Sequence, residues 1–384
     1  MLEPLAIACA LLLAAMLALE LKMSSAVLEV VAGLILAMLF ADIAETEWMI
    51  FLSEVGMLAL MFIAGFDLHT DTVRDTWRSC LVLGLVAFFA PFALVMAFAY
   101  YWLGLGFVPA GLIAVALSTT SLALVYHALK GDEMLHHESG QIILAAASIV
   151  DVLSMVALAL LLGDVGWGTA TFVIFVVVSL LSLPRIGTLV FRRYRGATPE
   201  LELRFLLVIL IGMGFMGEEM GGIHPAIVAF AIGVAMSSAV AESSVVHDKL
   251  NGMVFGFLAP IFFLHAGTKM QILDLEVTAL GYGAMLLVLA LGAKYGATFV
   301  CARLSQKVPG HYTANLFNYR LTFGIIAAEV GLESGHIDQQ LYDIIMLVIL
   351  IGAALPFILQ DKFNPLPRRL RRRRSAVVHD TASS

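Results

Sequence analysis

Asp151 is the only acidic residue in the otherwise apolar run from Ile142 to Gly163, and it lies near the middle. A charge at the centre of a bilayer costs about 2.5 kcal/mol or more, and such residues usually face an aqueous pathway and mark ion or proton routes. Other polar groups interrupt equally apolar surroundings: Ser118-Thr119-Thr120-Ser121, Lys294, and the stretch Arg320-Leu321-Thr322-Phe323-Gly324. Together they offer a carboxylate, an ammonium, hydroxyls and, if the helices carrying them are interrupted, free backbone carbonyls. Hard monovalent cations want oxygen ligands, and a carboxylate can hold either such a cation or a proton. Burial favours the neutral acid and a neighbouring cation favours the carboxylate, so the two occupants exclude one another at Asp151. Intramembrane aspartyl proteolysis would need two facing carboxylates, and no second Asp lies at this depth. The chemistry implied is transport rather than catalysis, with no cofactor beyond the transported ions.

The elements that must position these residues are membrane helices. Hydrophobic residues make up 61% of the chain and charged residues 13%, and the mean hydropathy is +0.97. No soluble domain has this composition. Thirteen apolar stretches, each long enough to cross about 30 Å of hydrocarbon, are predicted near 2–21, 25–41, 48–66, 78–103, 107–129, 140–163, 168–190, 202–219, 223–241, 251–268, 277–303, 312–332 and 339–361. Glu3 before the first and Lys22 after it reverse the charge order of a secretory signal, so this span is expected to stay in the membrane. Cys9, Cys80 and Cys301 have no paired spacing and are expected to serve helix packing.

Basic residues fall almost wholly on one side. Lys22, Arg74, Arg78, Lys130, Arg192, Arg193, Lys249, Arg303, Lys307, Arg320 and the tail arginines are assigned there, and only Lys269 is opposite. Cytoplasmic loops retain Lys and Arg, which sets the N-terminus outside and the C-terminus in the cytoplasm, as for a prokaryotic inner membrane. The basic run over 363–384 is expected to anchor this topology and touch anionic lipid, and no nucleic-acid partner is implied.

An odd span count lets spans 1–6 and 8–13 form inverted repeats, with span 7 between them and the ion site at their interface near the midplane. Span 5 then corresponds to span 12, and both carry a polar break. Counting about 1.5 Å per residue from the cytoplasmic ends, Thr120, Asp151, Lys294 and Thr322 all lie roughly 13–17 Å deep. Asp151, Thr120 and Ser121 are the primary ion- and proton-binding candidates and Lys294 is their charge partner. Ser118, Ser148, Thr322 and Glu29 are secondary candidates. Each has a structural alternative, since Ser and Thr also pack membrane helices, Lys294 would brace a core, and Glu29 and Glu54 stand outside the central group. His127 and His265 lie towards the interfaces.

Several segments, in order, resemble one family. Leu52 to Leu68, LSEVGMLALMFIAGFDL, is similar to the "AELGVxLLLFLAGLEL" signature of the monovalent cation:proton antiporter-2 superfamily, which includes NapA-type sodium/proton antiporters and Kef-type potassium efflux systems. Val27 to Leu34 resembles "VLGEILAGI", Ala116 to Val125 resembles "ALSATSVAVV", and Gly140 to Leu153, GQIILAAASIVDVL, resembles "GQLILGAAVIDDVL" around the ion-carrying carboxylate. The resemblance implies an all-α polytopic fold of inverted six-helix repeats with crossed discontinuous helices, spanning residues 1–362. Scaffold and dimer helices would occupy about 2–66 and 202–268, and a mobile ion-transporting core about 78–163 and 277–361. It implies a homodimer exchanging Na⁺ or K⁺ for H⁺ by alternating access, with Asp151 as shared carrier, Thr120 as hydroxyl site and Lys294 as the intramembrane lysine. Val150 stands where the family pattern has a first Asp, and Leu321-Thr322-Phe323 replaces a "GxE", so Asp151 is left as the expected partner of Lys294. A gated Kef-like efflux system and a non-transporting sensor are the alternatives; Kef-type chains often continue into a nucleotide-binding domain, whereas this one stops soon after its arginine run.

Overall fold

The computed structural model describes residues 2–21, 23–40, 44, 46–66, 76–135, 137–163, 201, 204–212, 224–240 and 244–363. Every span assigned from sequence that falls fully within these residues is helical, apart from an interruption in the fifth and another in the twelfth. The seventh lies outside the described residues, and of the eighth only 204–212 is described, as helix. The helices are α1 (Leu2–Leu21), α2 (Ser25–Leu39), α3 (Glu47–Phe66), α4 (Trp77–Ala97), α5 (Phe107–Ser118), α6 (Leu122–Gly131), α7 (Glu138–Leu162), α8 (Pro225–Val240), α9 (Ser244–Met253), α10 (Ala259–Thr268), α11 (Val277–Ser305), α12 (Gly310–Phe317), α13 (Thr322–Glu333) and α14 (Gln339–Phe363). A π turn over Val254–Leu258 joins α9 to α10 into one rod. No strand occurs among the described residues. In hydrocarbon each backbone polar group needs an internal partner, and a helix supplies it within one segment. Seven of the described helices are long and apolar enough to cross a membrane.

Two crossings show how tightly the helices meet. A Cβ on Gly33 of α2 would overlap the Leu264 carbonyl, and one on Gly267 of α10 would overlap the Val30 carbonyl. The same arrangement recurs between α3 and α8, where Gly65 lies on the Phe230 carbonyl and Gly233 on the Phe62 carbonyl. In both pairs each glycine sits over the carbonyl three residues before its partner glycine. Small residues let membrane helices approach to backbone contact, where packing replaces the hydrophobic drive. A second body forms around α4, α5, α7 and α11 to α14, which pack on one another.

The fifth and twelfth spans are each interrupted. α5 ends at Ser118, residues 119–121 run extended, and α6 resumes at Leu122. α12 ends at Phe317, the chain unwinds through Leu321, and α13 begins at Thr322. The breaks lie against each other: the Ser121 backbone N–H donates to the Tyr319 carbonyl at 2.6 Å, and a Cβ on Gly324 would meet the Ala116 carbonyl at 2.9 Å.

Candidate functional site

Broken helices expose carbonyls that water cannot reach at this depth, so each needs a donor from elsewhere. Thr120 Oγ1 donates to the Phe317 carbonyl at 3.2 Å, tying the first break to the second, and Thr119 Oγ1 turns back to the Ala116 carbonyl at 3.4 Å. The carbonyls of Ser118 and Thr119 both receive the Lys294 ammonium, which donates to Ser118 at 2.6 Å and also to Thr119. Lys294 sits on α11 and is fully buried. Its ammonium therefore already occupies a nest of carbonyl oxygens, as a bound cation would.

Asp151 lies on α7 with 1% exposure, and its Oδ1 has no hydrogen-bond partner. No ion pair joins it to Lys294, although the two charges act on each other electrostatically. An ionised carboxylate buried without donors is costly by several kcal/mol. Such an oxygen is relieved by taking a proton or by meeting a cation.

The remaining sequence candidates separate into those at the breaks and those away from them. Ser121 contributes its backbone N–H to the join, and Ser118 gives its carbonyl to Lys294 while its own hydroxyl lacks a partner. Thr322 is half-buried at the first position of α13. Ser148 donates to the Leu144 carbonyl of its own helix at 3.1 Å, the ordinary state of a serine inside a helix. Glu29 is buried in α2 with Ser25 as its side-chain partner, on the glycine-crossed body rather than beside the breaks.

One residue must be reassigned. Arg320, counted from the sequence both with the basic residues of one side and within the polar break of span 12, has no exposure at all and lies inside that break. Its Nη2 donates to Asn318 Oδ1 at 2.9 Å, while Nε and Nη1 find no partner. It is a fixed charge within the core. The available signal was its position: an arginine in mid-span, beside a helix break, is too deep to reach an interface.

Sequence reasoning also missed a second polar group. Lys269, at the C-terminal end of α10, donates to Glu329 Oε1 at 2.7 Å and to Glu333 Oε1 at 2.9 Å. Glu329 and Glu333 are four residues apart on α13, so both face the same side. His265 is not at an open interface but buried, with Nδ1 2.9 Å from Ser53 Oγ.

A membrane-embedded carboxylate, crossed helix breaks and a lysine on the break carbonyls define a class of ion-carrying membrane proteins. The transmembrane sodium/hydrogen exchanger family model matches residues 7–360, and the chain belongs to this family of cation:proton antiporters. It is an integral membrane protein. The chain is 28% identical over 349 residues to a probable Na⁺/H⁺ antiporter of Methanocaldococcus jannaschii, covering 87% of this chain and 89% of that one. It is 24% identical to the Na⁺/H⁺ antiporter NhaS4 of a Synechocystis strain, covering 82% of each. Against a cation/H⁺ antiporter of Arabidopsis thaliana it is 25% identical but spans only 39% of that longer protein. Its fold is similar to the solved sodium proton antiporter MjNhaP1 from Methanocaldococcus jannaschii, with a TM-score of 0.66 at 15% identity over 95% of this chain and 99% of that one.

Proposed function

We propose that the protein exchanges a monovalent cation, Na⁺ in the first instance, for H⁺ by alternating access, with Asp151 holding each in turn. The observation that carries this is the buried Asp151 oxygen without a partner, beside a break whose carbonyls already hold an ammonium. Thr120 and the break carbonyls supply further oxygen ligands. Lys294 holds those carbonyls while the cation is absent and yields them as it enters. Carbonyl acceptors reward the charged ammonium, so of these two groups at the breaks Asp151 is the one that titrates, and one cation leaves for one proton.

The moving parts follow from the two bodies. The glycine-crossed helices α2, α3, α8 and α10 act as scaffold and dimer surface, and the bundle of α4 to α7 with α11 to α14 carries the site across the membrane. The repeated glycine crossings and paired breaks support two inverted repeats within a thirteen-span fold. The one-sided distribution of basic residues in the sequence supports a cytoplasmic C-terminus.

The test is purified protein in liposomes with a pH-reporting dye, challenged with Na⁺ and with K⁺. Cation-driven proton flux in the wild type, abolished in Asp151→Asn, is the expected result. Flux retained by the variant, or absent from the wild type with every alkali cation, overturns the assignment.

A further inference from the structure

The group around Lys269 joins the two bodies. On the scaffold side stand Ser53 and Glu54 of α3, with His265 and Lys269 on and just beyond α10. On the core side stand Glu329 and Glu333 of α13, with Tyr342 and Asp343 of α14. Besides the two ion pairs of Lys269, the Gln271 backbone N–H donates to Asp343 Oδ1 at 3.0 Å. Gln339 Nε2 donates to the Lys269 carbonyl at 2.7 Å, and Tyr342 OH to the Ala266 carbonyl at 2.8 Å. A core that moves against the scaffold must release these bonds.

Glu329 is the unusual member. It is 3% exposed, and its Oε2 has no hydrogen-bond partner although Oε1 holds Lys269. It lines a cavity of about 10 Å³ together with Ser53, Glu54, His265, Lys269 and Glu333, which is close to the space one water needs. Beside it, His265 Nε2 lies 3.1 Å from the Ala44 carbonyl. A carbonyl only accepts, so Nε2 carries the hydrogen and neutral Nδ1 accepts from Ser53. A proton added to His265 would sit on Nδ1, 3.9 Å from Glu329 Oε1. Glu329 also lies seven residues beyond Thr322 on the same helix, about 10 Å from the break towards the Lys269 side.

We propose that Glu329 is a proton-operated latch between the two bodies, a station where a proton from the Lys269 side displaces the ammonium and so releases the core from the scaffold. This rests on the two-body, alternating-access reading above. The step is simple: an O–H bond forms on Glu329, Lys269 keeps its protons and remains with Glu333, and one of its two ion pairs is lost. Lys269 does not titrate in competition. Burial works against its charge, but Glu329 and Glu333 outweigh that and hold its pKa above the ordinary lysine value. Its own charge is therefore constant from pH 8 down to pH 5 and is lost only as pH rises through that raised pKa. The charged and titratable groups facing Glu329 are Glu54, His265, Lys269, Glu333, Tyr342 and Asp343 among the described residues, and His224 interacts with Glu333.

The experiment measures the distance between spin labels at Trp48→Cys on the scaffold and His336→Cys on the core, in a background with Cys9, Cys80 and Cys301 replaced, in lipid nanodiscs at pH 8 and pH 5. The wild-type background should show one short distance at pH 8 and a second, longer population at pH 5. Glu329→Gln should show the longer population at both pH values. Glu329→Asp should restore the pH response, and Asp151→Asn should keep it, which separates failure here from failure of the Asp151 assignment. A distance that ignores pH in the wild type, a pH response unchanged in Glu329→Gln, or one that disappears in Glu333→Gln or His265→Gln instead would overturn the proposal.

Discussion

The break-centred site and the Lys269 group place the same residue types under opposite rules. At the Lys269 group a lysine meets two carboxylates, 2.7 and 2.9 Å away, so each charge has an opposite one in contact. At the breaks Lys294 meets carbonyls, Arg320 meets an asparagine, and the one carboxylate lies apart with a bare oxygen. Direct ion pairing locks elements together, because removing either partner leaves a buried charge. Incomplete pairing leaves room for an occupant. Under the proposed exchange, the contrast gives holding to one region and carrying to the other.

Removing the bare carboxylate should have the largest effect on this contrast. Asp151→Asn is expected to lower cation-driven proton flux to background while thermal unfolding stays near that of the wild type, because no partner loses its bond. A large loss of thermal stability would mean that Asp151 holds the fold rather than the ion. If proton and cation share Asp151 as proposed, lowering pH should raise the wild-type half-saturating cation concentration, about tenfold per pH unit at the acid limb. A constant value would separate the two occupants.

Lys294→Gln should come next. It removes the charge from two buried carbonyls, at about 1–3 kcal/mol for each bond lost, and should lower both the unfolding temperature and flux. Under an imposed membrane potential wild-type exchange should not change. A potential-dependent wild-type flux that vanishes in Lys294→Gln would show that Lys294 carries a second proton. Thr120→Val should be milder, weakening the apparent cation affinity about tenfold, or about 1.4 kcal/mol, by removing one oxygen and the bond to Phe317. Ser148→Ala should be smallest, within about 0.5 kcal/mol of wild-type stability, with unchanged flux. A large effect there would extend the carrying site along α7.

Both breaks were legible as interruptions, because hydroxyls and an arginine in an apolar run are visible without knowing what they touch. Asp151 and Lys294 stood out for the same reason, but their pairing with each other was an inference from scarcity, each being the other's obvious counter-charge. The structure gives Lys294 the carbonyls of Ser118 and Thr119 instead. Backbone acceptors are invisible in sequence, since every residue has one and only an interrupted helix frees it. Arg320 was counted with the basic residues of one side as well as with the break, because charge counting treats each arginine as interfacial, whereas the break that encloses it is set where α13 packs on α5 and the Ser121 N–H meets the Tyr319 carbonyl.

By itself the sequence determined the medium, the helical spans that fall within the described residues, the two interruptions and the intramembrane carboxylate. Hydrocarbon admits few backbone forms, and a polar residue in an apolar run is detectable locally. Tertiary structure decided which glycines meet which carbonyls, what the Lys294 ammonium holds, and that Lys269 of α10 closes on Glu329 and Glu333 of α13. Those facts depend on which helices lie side by side and at what rotation, and hydropathy, averaged along one segment, carries neither.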